Sequence, residues 1–346
     1  GCGSIPPDSR VNSRRGVNPV RPGACAGYTL LLSRRILPMT FELATIIDFI
    51  RYGASRFEEA GLSFGHSYDN ALDEATQLVL SSLHLPHDLA PVYGQAKLTA
   101  AEKAAVLAVF ERRIRERIPA CYLIGEAWFA GLCFISDARA LVPRSPIAEL
   151  IEAGYQPWLG DRLVSRVLDL CTGSGCIAIA TAVHQPAWHV DAVDLSADAL
   201  DLARSNVERF DVKDRVRLVQ SDLFDALAGE RYDLIVSNPP YVTHDEMDAL
   251  PAEYGFEPDL GLRAGADGLD LVLRILRDAP NHLNEDGLLI CEVGDSERAL
   301  IELLPQLPLA WIEFKVGPMG IFVIERDDLV RHHAAIAAHA NARAAG

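Results

Sequence analysis

Between residues 146 and 326, short apolar runs alternate with amphipathic stretches, and no other property of the chain restricts its fold so much. Strand-like runs fall at 164–170, 188–193, 216–219, 234–236 and 288–293. Helical patterns at 197–210 and 268–276 separate some of them. Strands that return through helices run the same way, so the repeat predicts an α/β fold with a mostly parallel sheet covered on both faces. A last pair, 311–314 and 321–324, is separated by Gly317, Pro318 and Gly320 and reads as an antiparallel hairpin at the sheet edge.

Upstream the period changes to that of helices. Leu43, Ile46, Ile47, Ile50 and Tyr52 recur near 3.6 residues. Asn70 is a candidate cap for a second helix, and Thr99 with Glu102 for a third, which Pro119 stops. Trp128, Leu132, Phe134 and Ile135 alternate loosely around Gly131, a hairpin pattern. The expected division is a small N-terminal helical, substrate-binding domain at 39–120, a linking β-hairpin at 121–145 and the α/β domain at 146–326. Residues 1–38, rich in proline and arginine and without periodicity, read as a disordered leader; the rival reading is a basic tail that touches RNA. Residues 327–346 read as a C-terminal tail, a solvated helix whose His332, His333 and His339 are not metal ligands.

Charge narrows the partners. With 32 Lys+Arg against 48 Asp+Glu the net charge is -16. That opposes a field-wide grip on nucleic acid and suits a small-molecule site or a basic protein partner. Seven cysteines, with no pair at the spacing of a zinc knuckle, read as reduced thiols. No apolar run approaches the ~18–20 residues of a membrane helix, so a cytoplasmic protein without a membrane partner is expected.

The chemistry concentrates after the strand-like runs. Asp169 and Leu170 lead into Cys171-Thr172-Gly173-Ser174-Gly175-Cys176 and then a helical run. Glycines between strand and helix let backbone amides approach a ligand with no Cβ in the way. The third glycine of a dinucleotide loop is absent, and the Asp169 carboxylate would repel a pyrophosphate while facing a cationic group. Asp194, with Leu195, ends the second strand where a carboxylate accepts from ribose hydroxyls. Asp222 and Leu223 follow the third, where a carboxylate can take an adenine amino group. Together these outline a pocket for an adenosine without phosphates, that is S-adenosylmethionine. The fourth strand runs into Asn238-Pro239-Pro240-Tyr241. Two prolines fix φ and remove two donors, leaving carbonyls free to face a ligand. The Asn238 side-chain oxygen and the Pro239 carbonyl can both accept from an amino group, while the Tyr241 ring stacks on a planar amide.

On these residues the chain resembles the class I S-adenosylmethionine-dependent methyltransferases, with a Rossmann-like, mostly parallel seven-stranded sheet whose last strand is antiparallel. Within them it is similar to the protein-glutamine N5-methyltransferases of the HemK/PrmC–PrmB group. Asn238-Pro239-Pro240-Tyr241 matches that group's catalytic tetrapeptide. Further likeness lies in Leu141-Val142-Pro143-Arg144-Ser145-Pro146-Ile147 with Glu149, in Phe256-Glu257-Pro258 and in Gly265-Ala266-Asp267-Gly268-Leu269. The resemblance implies Asn238, Pro239 and Tyr241 as catalytic residues. It implies cofactor contacts from Asp169, Cys171, Thr172, Gly173, Gly175, Asp194, Leu195, Asp222, Leu223 and Asn238, and substrate contacts from Asn238, Pro239, Pro240, Tyr241 and Arg144. For Arg144 and Glu149 an interdomain salt bridge is an equal reading.

Cys171, Pro143-Arg144-Ser145-Pro146-Ile147 and Gly65-His66-Ser67-Tyr68-Asp69-Asn70 look like the PrmB branch, whose substrate is a glutamine of the third large-subunit ribosomal protein. Relatives acting on release factors usually carry glycine at Cys171, where a positive φ would strain a side chain. Release-factor methylation, adenine-N6 methylation of nucleic acid and a non-catalytic scaffold are the competing readings. The acidic chain and the lack of a basic recognition domain oppose direct nucleic-acid binding.

Overall fold

In a computed structural model of the chain, the described residues are 43–65, 68–314 and 317–344. The leader expected at 1–38, and His66 and Ser67 of the PrmB-like stretch, lie outside them. Three helices come first: α1 (Ile46–Glu59), α2 (Ala71–Ser82) and α3 (Ala100–Glu116). Each begins on a side chain that satisfies an otherwise unpaired amide. Thr45 and Asp48 form a capping box, the Asn70 side chain accepts from the Asp73 amide at 2.9 Å, and Thr99 and Glu102 form a second box. Phe49, Phe57, Leu78, Val106 and Phe110 fill the space between them. Gly53 lets α1 approach α3, since a Cβ there would meet the Phe110 ring at 2.5 Å.

Arg117 closes α3 with φ +62°, and α4 (Ala120–Ile124) leads to a hairpin of β1 (Glu126–Phe129) and β2 (Leu132–Ile135). Ala130 and Gly131 both take positive φ, the turn whose twist suits a two-residue hairpin.

After α5 (Ile147–Glu152) the chain alternates through β3 (Arg166–Leu170), α6 (Cys176–His184), β4 (His189–Asp194), α7 (Ala197–Arg209), β5 (Val216–Gln220) and β6 (Tyr232–Ser237). Then come α8 (His244–Ala249), α9 (Asp270–Asp278), β7 (Leu283–Glu292), α10 (Glu297–Leu303), β8 (Ala310–Phe314), β9 (Gly317–Glu325) and α11 (Arg326–Ala344). The strand order is β5-β4-β3-β6-β7-β9-β8. All neighbours are parallel up to β7; β9 is antiparallel to β7 and to β8. One face is covered by residues such as Ile151, Ile179 and Val207, the other by Leu273, Leu276, Leu300 and Ile336. Buried on both sides, the strands read as continuous apolar runs.

The last helix corrects the expectation of a solvated tail. Leu329, Ile336 and Ala340 of α11 are buried in the cluster that covers β7, together with Leu273 and Leu276 of α9. Its alanines and histidines mask that narrow apolar stripe. Near its end Arg343 pairs with Asp267 at 2.5 Å and Asp270 at 2.8 Å.

The N-terminal helices grip the rest through a buried charge cluster. Arg113, 1% exposed, donates to Glu74 at 2.7 Å and to Glu253 at 3.2 Å, and Glu253 also accepts from the Ser63 amide. Glu253 lies between the tetrapeptide strand and α9, so α2 and α3 are tied to the loop beyond the tetrapeptide. Removing one partner leaves buried charge uncompensated. Arg113→Ala is therefore expected to lower unfolding stability by about 3–5 kcal/mol, read by chemical denaturation.

Candidate active site

Pairing register puts the chemistry-bearing loops side by side. Leu170 of β3 pairs with Val193 of β4 and with Ser237 of β6, and Ser237 pairs with Cys291 of β7. The Ser237 hydroxyl donates to the Leu170 carbonyl at 2.9 Å, joining the two strand ends just before their loops. Cys171, Asp194, Asn238 and Glu292 thus leave one sheet edge at about the same level, where parallel α/β sheets place their ligands. A cavity of about 230 Å³ opens there.

Of the predicted residues, Cys171, Thr172, Gly173, Asp194, Leu195, Asp222, Leu223, Asn238, Pro240 and Arg144 line the cavity. Asp169, Gly175, Pro239 and Tyr241 are not on its wall, and Glu149 lies off it on α5.

The glycine loop is shaped from within. Cys171 has φ +60°, Gly173 +56° and Gly175 +80°. Cys171 therefore takes the left-handed conformation despite its Cβ, and the anticipated strain is present. A Cβ at Gly175 would stand 3.1 Å from both Ala203 and Ile179, so glycine there allows α6 and α7 to pack. The carboxylate of Asp169 is buried behind the loop: one oxygen accepts from the Thr172 hydroxyl and the Ala178 amide, while Oδ1 has no partner among the described residues. Burial lifts its carboxyl to about 7, against those two hydrogen bonds.

Asp194 accepts from the Gly173 amide at 2.8 Å and the Ser196 amide at 2.9 Å, which aims it at the loop. Burial still holds its carboxyl above the usual carboxylate range. At the cavity rim Asp222 pairs with Arg274 of α9 at 2.9 Å. The fully buried Asn206 of α7 donates to the Ser174 carbonyl and brackets Ile135, binding the loop to the hairpin.

In the tetrapeptide both prolines are buried and the Asn238 side chain makes no hydrogen bond with a described residue. Tyr241 donates to Glu292 Oε1 at 3.0 Å; burial and that carboxylate push its hydroxyl well above the ordinary tyrosine range. Arg144 forks onto Glu257, one arm at 2.7 Å, and lies 5.3 Å from the Tyr254 ring centre. So Arg144 lines the cavity and also makes an ion pair within the protein. Glu292, Arg274 and Asn206 were not singled out from the sequence, and Ser145 entered only as a member of the 141–147 motif. Of the other three, Glu292 carried a signal, a lone charge within the apolar run at 288–293.

The family model described as the methyltransferase small domain matches residues 157–253. A ribosomal protein uL3 glutamine methyltransferase of Xanthomonas campestris is 70% identical over 87% of this chain and 98% of its own length. Its namesake from Xylella fastidiosa is 67% identical over 87% and 96%. One from Neisseria meningitidis serogroup B is 49% identical over 84% and 95%. Fold and site together define a class I S-adenosylmethionine-dependent methyltransferase. More narrowly, the chain belongs to the family of the ribosomal protein uL3 glutamine methyltransferases.

The donor S-adenosylmethionine fits the residues present. Two carboxylates on the cavity wall, Asp194 and Asp222, suit hydroxyl and amino donors.

The raised pKa of Asp169 has a stability consequence. Between the unfolded value near 3.8 and about 7, the folded chain holds a proton that the unfolded chain has released, so this group's contribution falls as pH rises. In Asp169→Asn that slope is absent. Denaturation at several pH values should show the variant gaining on the parent from about pH 4 to 7 and no further above it.

Proposed function

We propose that this enzyme methylates the side-chain nitrogen of a glutamine in ribosomal protein uL3, in the cytoplasm. The observation that carries this reading is the shared wall: Asn238 and Pro240 line the same cavity as Cys171, Gly173, Asp194 and Asp222. An amide acceptor and an adenosyl donor then meet in one space. The relatives at 49–70% identity bear the uL3 name, which favours that substrate over a release factor or an adenine amine. A basic ribosomal protein also complements a chain of charge -16.

An amide nitrogen is a weak nucleophile because its lone pair is delocalised, so orientation has to supply most of the rate. The Asn238 oxygen, uncommitted among the described residues, and the Pro239 carbonyl accept from the glutamine NH₂ and fix its direction. The Tyr241 ring covers the amide plane. Asp194 accepts from the ribose hydroxyls, and Asp222, steadied by Arg274, accepts from the adenine amine. When bound, S-adenosylmethionine supplies an electrophilic sulfonium methyl. Arg144 holds the cavity wall through Glu257 beside the incoming chain.

Mass spectrometry of ribosomal proteins from cells with and without the gene tests the substrate. uL3 lighter by one methylene in the deletion supports it; the same gap on a release factor, with uL3 unchanged, refutes it. Asn238→Ala should cost about 3 kcal/mol, ~10² in kcat, with S-adenosylmethionine affinity retained by calorimetry. Asp194→Ala should show the reverse pattern, with cofactor Kd rising at least about tenfold, as expected for a lost charge-assisted hydrogen-bond acceptor.

A further inference from the structure

β7 ends in a residue that packing does not ask for. Leu288, Leu289, Ile290, Cys291 and Val293 are buried apolar residues, yet Glu292 among them is only 3% exposed. A buried carboxylate costs free energy unless its oxygens are satisfied. Here the two oxygens go to two different segments of the candidate site. Oε1 accepts from the Tyr241 hydroxyl at 3.0 Å and Oε2 from the Ser145 hydroxyl at 2.5 Å. Arg144, the cation that acts on it, is forked onto Glu257 instead. Burial raises its carboxyl to about 7 while Ser145, Tyr241 and Arg144 oppose that rise.

The Tyr241 ring is held elsewhere too. Gly294, at φ +49°, passes so close that a Cβ there would meet the ring at 2.5 Å. Gly320 in β9, at φ +62°, clears room for Gly294 in turn: its Cβ would lie 2.1 Å from the Gly294 carbonyl. Bare backbone thus packs against the ring while Glu292 takes its hydroxyl. Ser145 is itself fixed, because its oxygen also accepts from the Ile147 amide at the start of α5. It also lines the cavity.

We propose that Glu292 is a positioning residue for methyl transfer: it pins the Tyr241 ring plane and, through Ser145, holds the 143–147 segment in register with the tetrapeptide. This rests on the reading that Tyr241 stacks on the acceptor amide. A stacked amide is only as well aimed as the ring beneath it, and a phenyl ring alone would stack. The hydroxyl of Tyr241 therefore serves the pin.

The test uses the full chain, S-adenosylmethionine and uL3, with Glu292→Leu, Glu292→Gln, Tyr241→Phe and Ser145→Ala variants. Glu292→Leu should lower kcat about tenfold or more while cofactor Kd stays within about twofold. Glu292→Gln, which keeps an acceptor for the tyrosine, should recover about a third or more of the parental kcat. In a Tyr241→Phe background the further loss from Glu292→Leu should shrink to that of Ser145→Ala alone, since the tyrosine contact is already gone. Unchanged kcat, an equal loss of cofactor affinity, or losses that multiply would overturn the role. Should Glu292→Leu fail to fold, Ser145→Ala and Tyr241→Phe decide: a lowered kcat in each with cofactor Kd unchanged supports the pin, and parental kcat in both refutes it. A parent that leaves uL3 unmethylated sinks the functional reading itself, whereas variants equal to an active parent sink only this role.

Discussion

The parallel pairing of β3 with β6 governs everything the site contains. It sets Leu170 beside Ser237, and the hydrogen bond between them ties the two strands at the last point before their loops. The glycine loop and the tetrapeptide are far apart in sequence but diverge from adjacent positions at one edge. Slipping either strand by one residue would turn its side chains to the opposite face and separate acceptor from donor. Because the flanking pairs β4 and β7 are also parallel, Asp194 and Glu292 arrive at the same edge without further design.

Around that edge, buried charge links parts that apolar packing alone would leave indifferent to one another. Glu253 is held by Arg113 and Arg117 of the helical segment, while Glu257, four residues on, holds Arg144 on the cavity wall. The stretch between them connects the N-terminal helices to the cavity, whose wall includes Pro258, Leu260 and Gly261. Buried ion pairs of this kind contribute little net stability, but they are exacting about geometry.

Much of this was legible in the residues. Asn70 and Thr99 announced two helix starts, since capping is a matter of three neighbouring positions. The apolar runs after residue 160 announced the strands, and the positions following them held Cys171, Asp194, Asp222 and Asn238, all of which line the cavity. Other features were hidden. Asp169 is spaced like a ligand-facing acid, but in the fold it sits behind the loop, bonded to Thr172 and Ala178. The C-terminal helix looked solvated because its buried stripe is only one residue wide in an alanine-rich run.

Sequence alone determined the order of elements, the edge at which the chemistry collects and the type of that chemistry. Periodicity, caps and turn residues act within a few positions, so they can be read in a line. Tertiary structure decided which charges pair. Ser145 meets Glu292 across 147 residues and Arg113 meets Glu253 across 140. It also decided that Cys171 is held at a positive φ between two fixed strands. A buried charge takes whichever partner the crossing chain brings within reach, and its own neighbours in sequence do not name that partner.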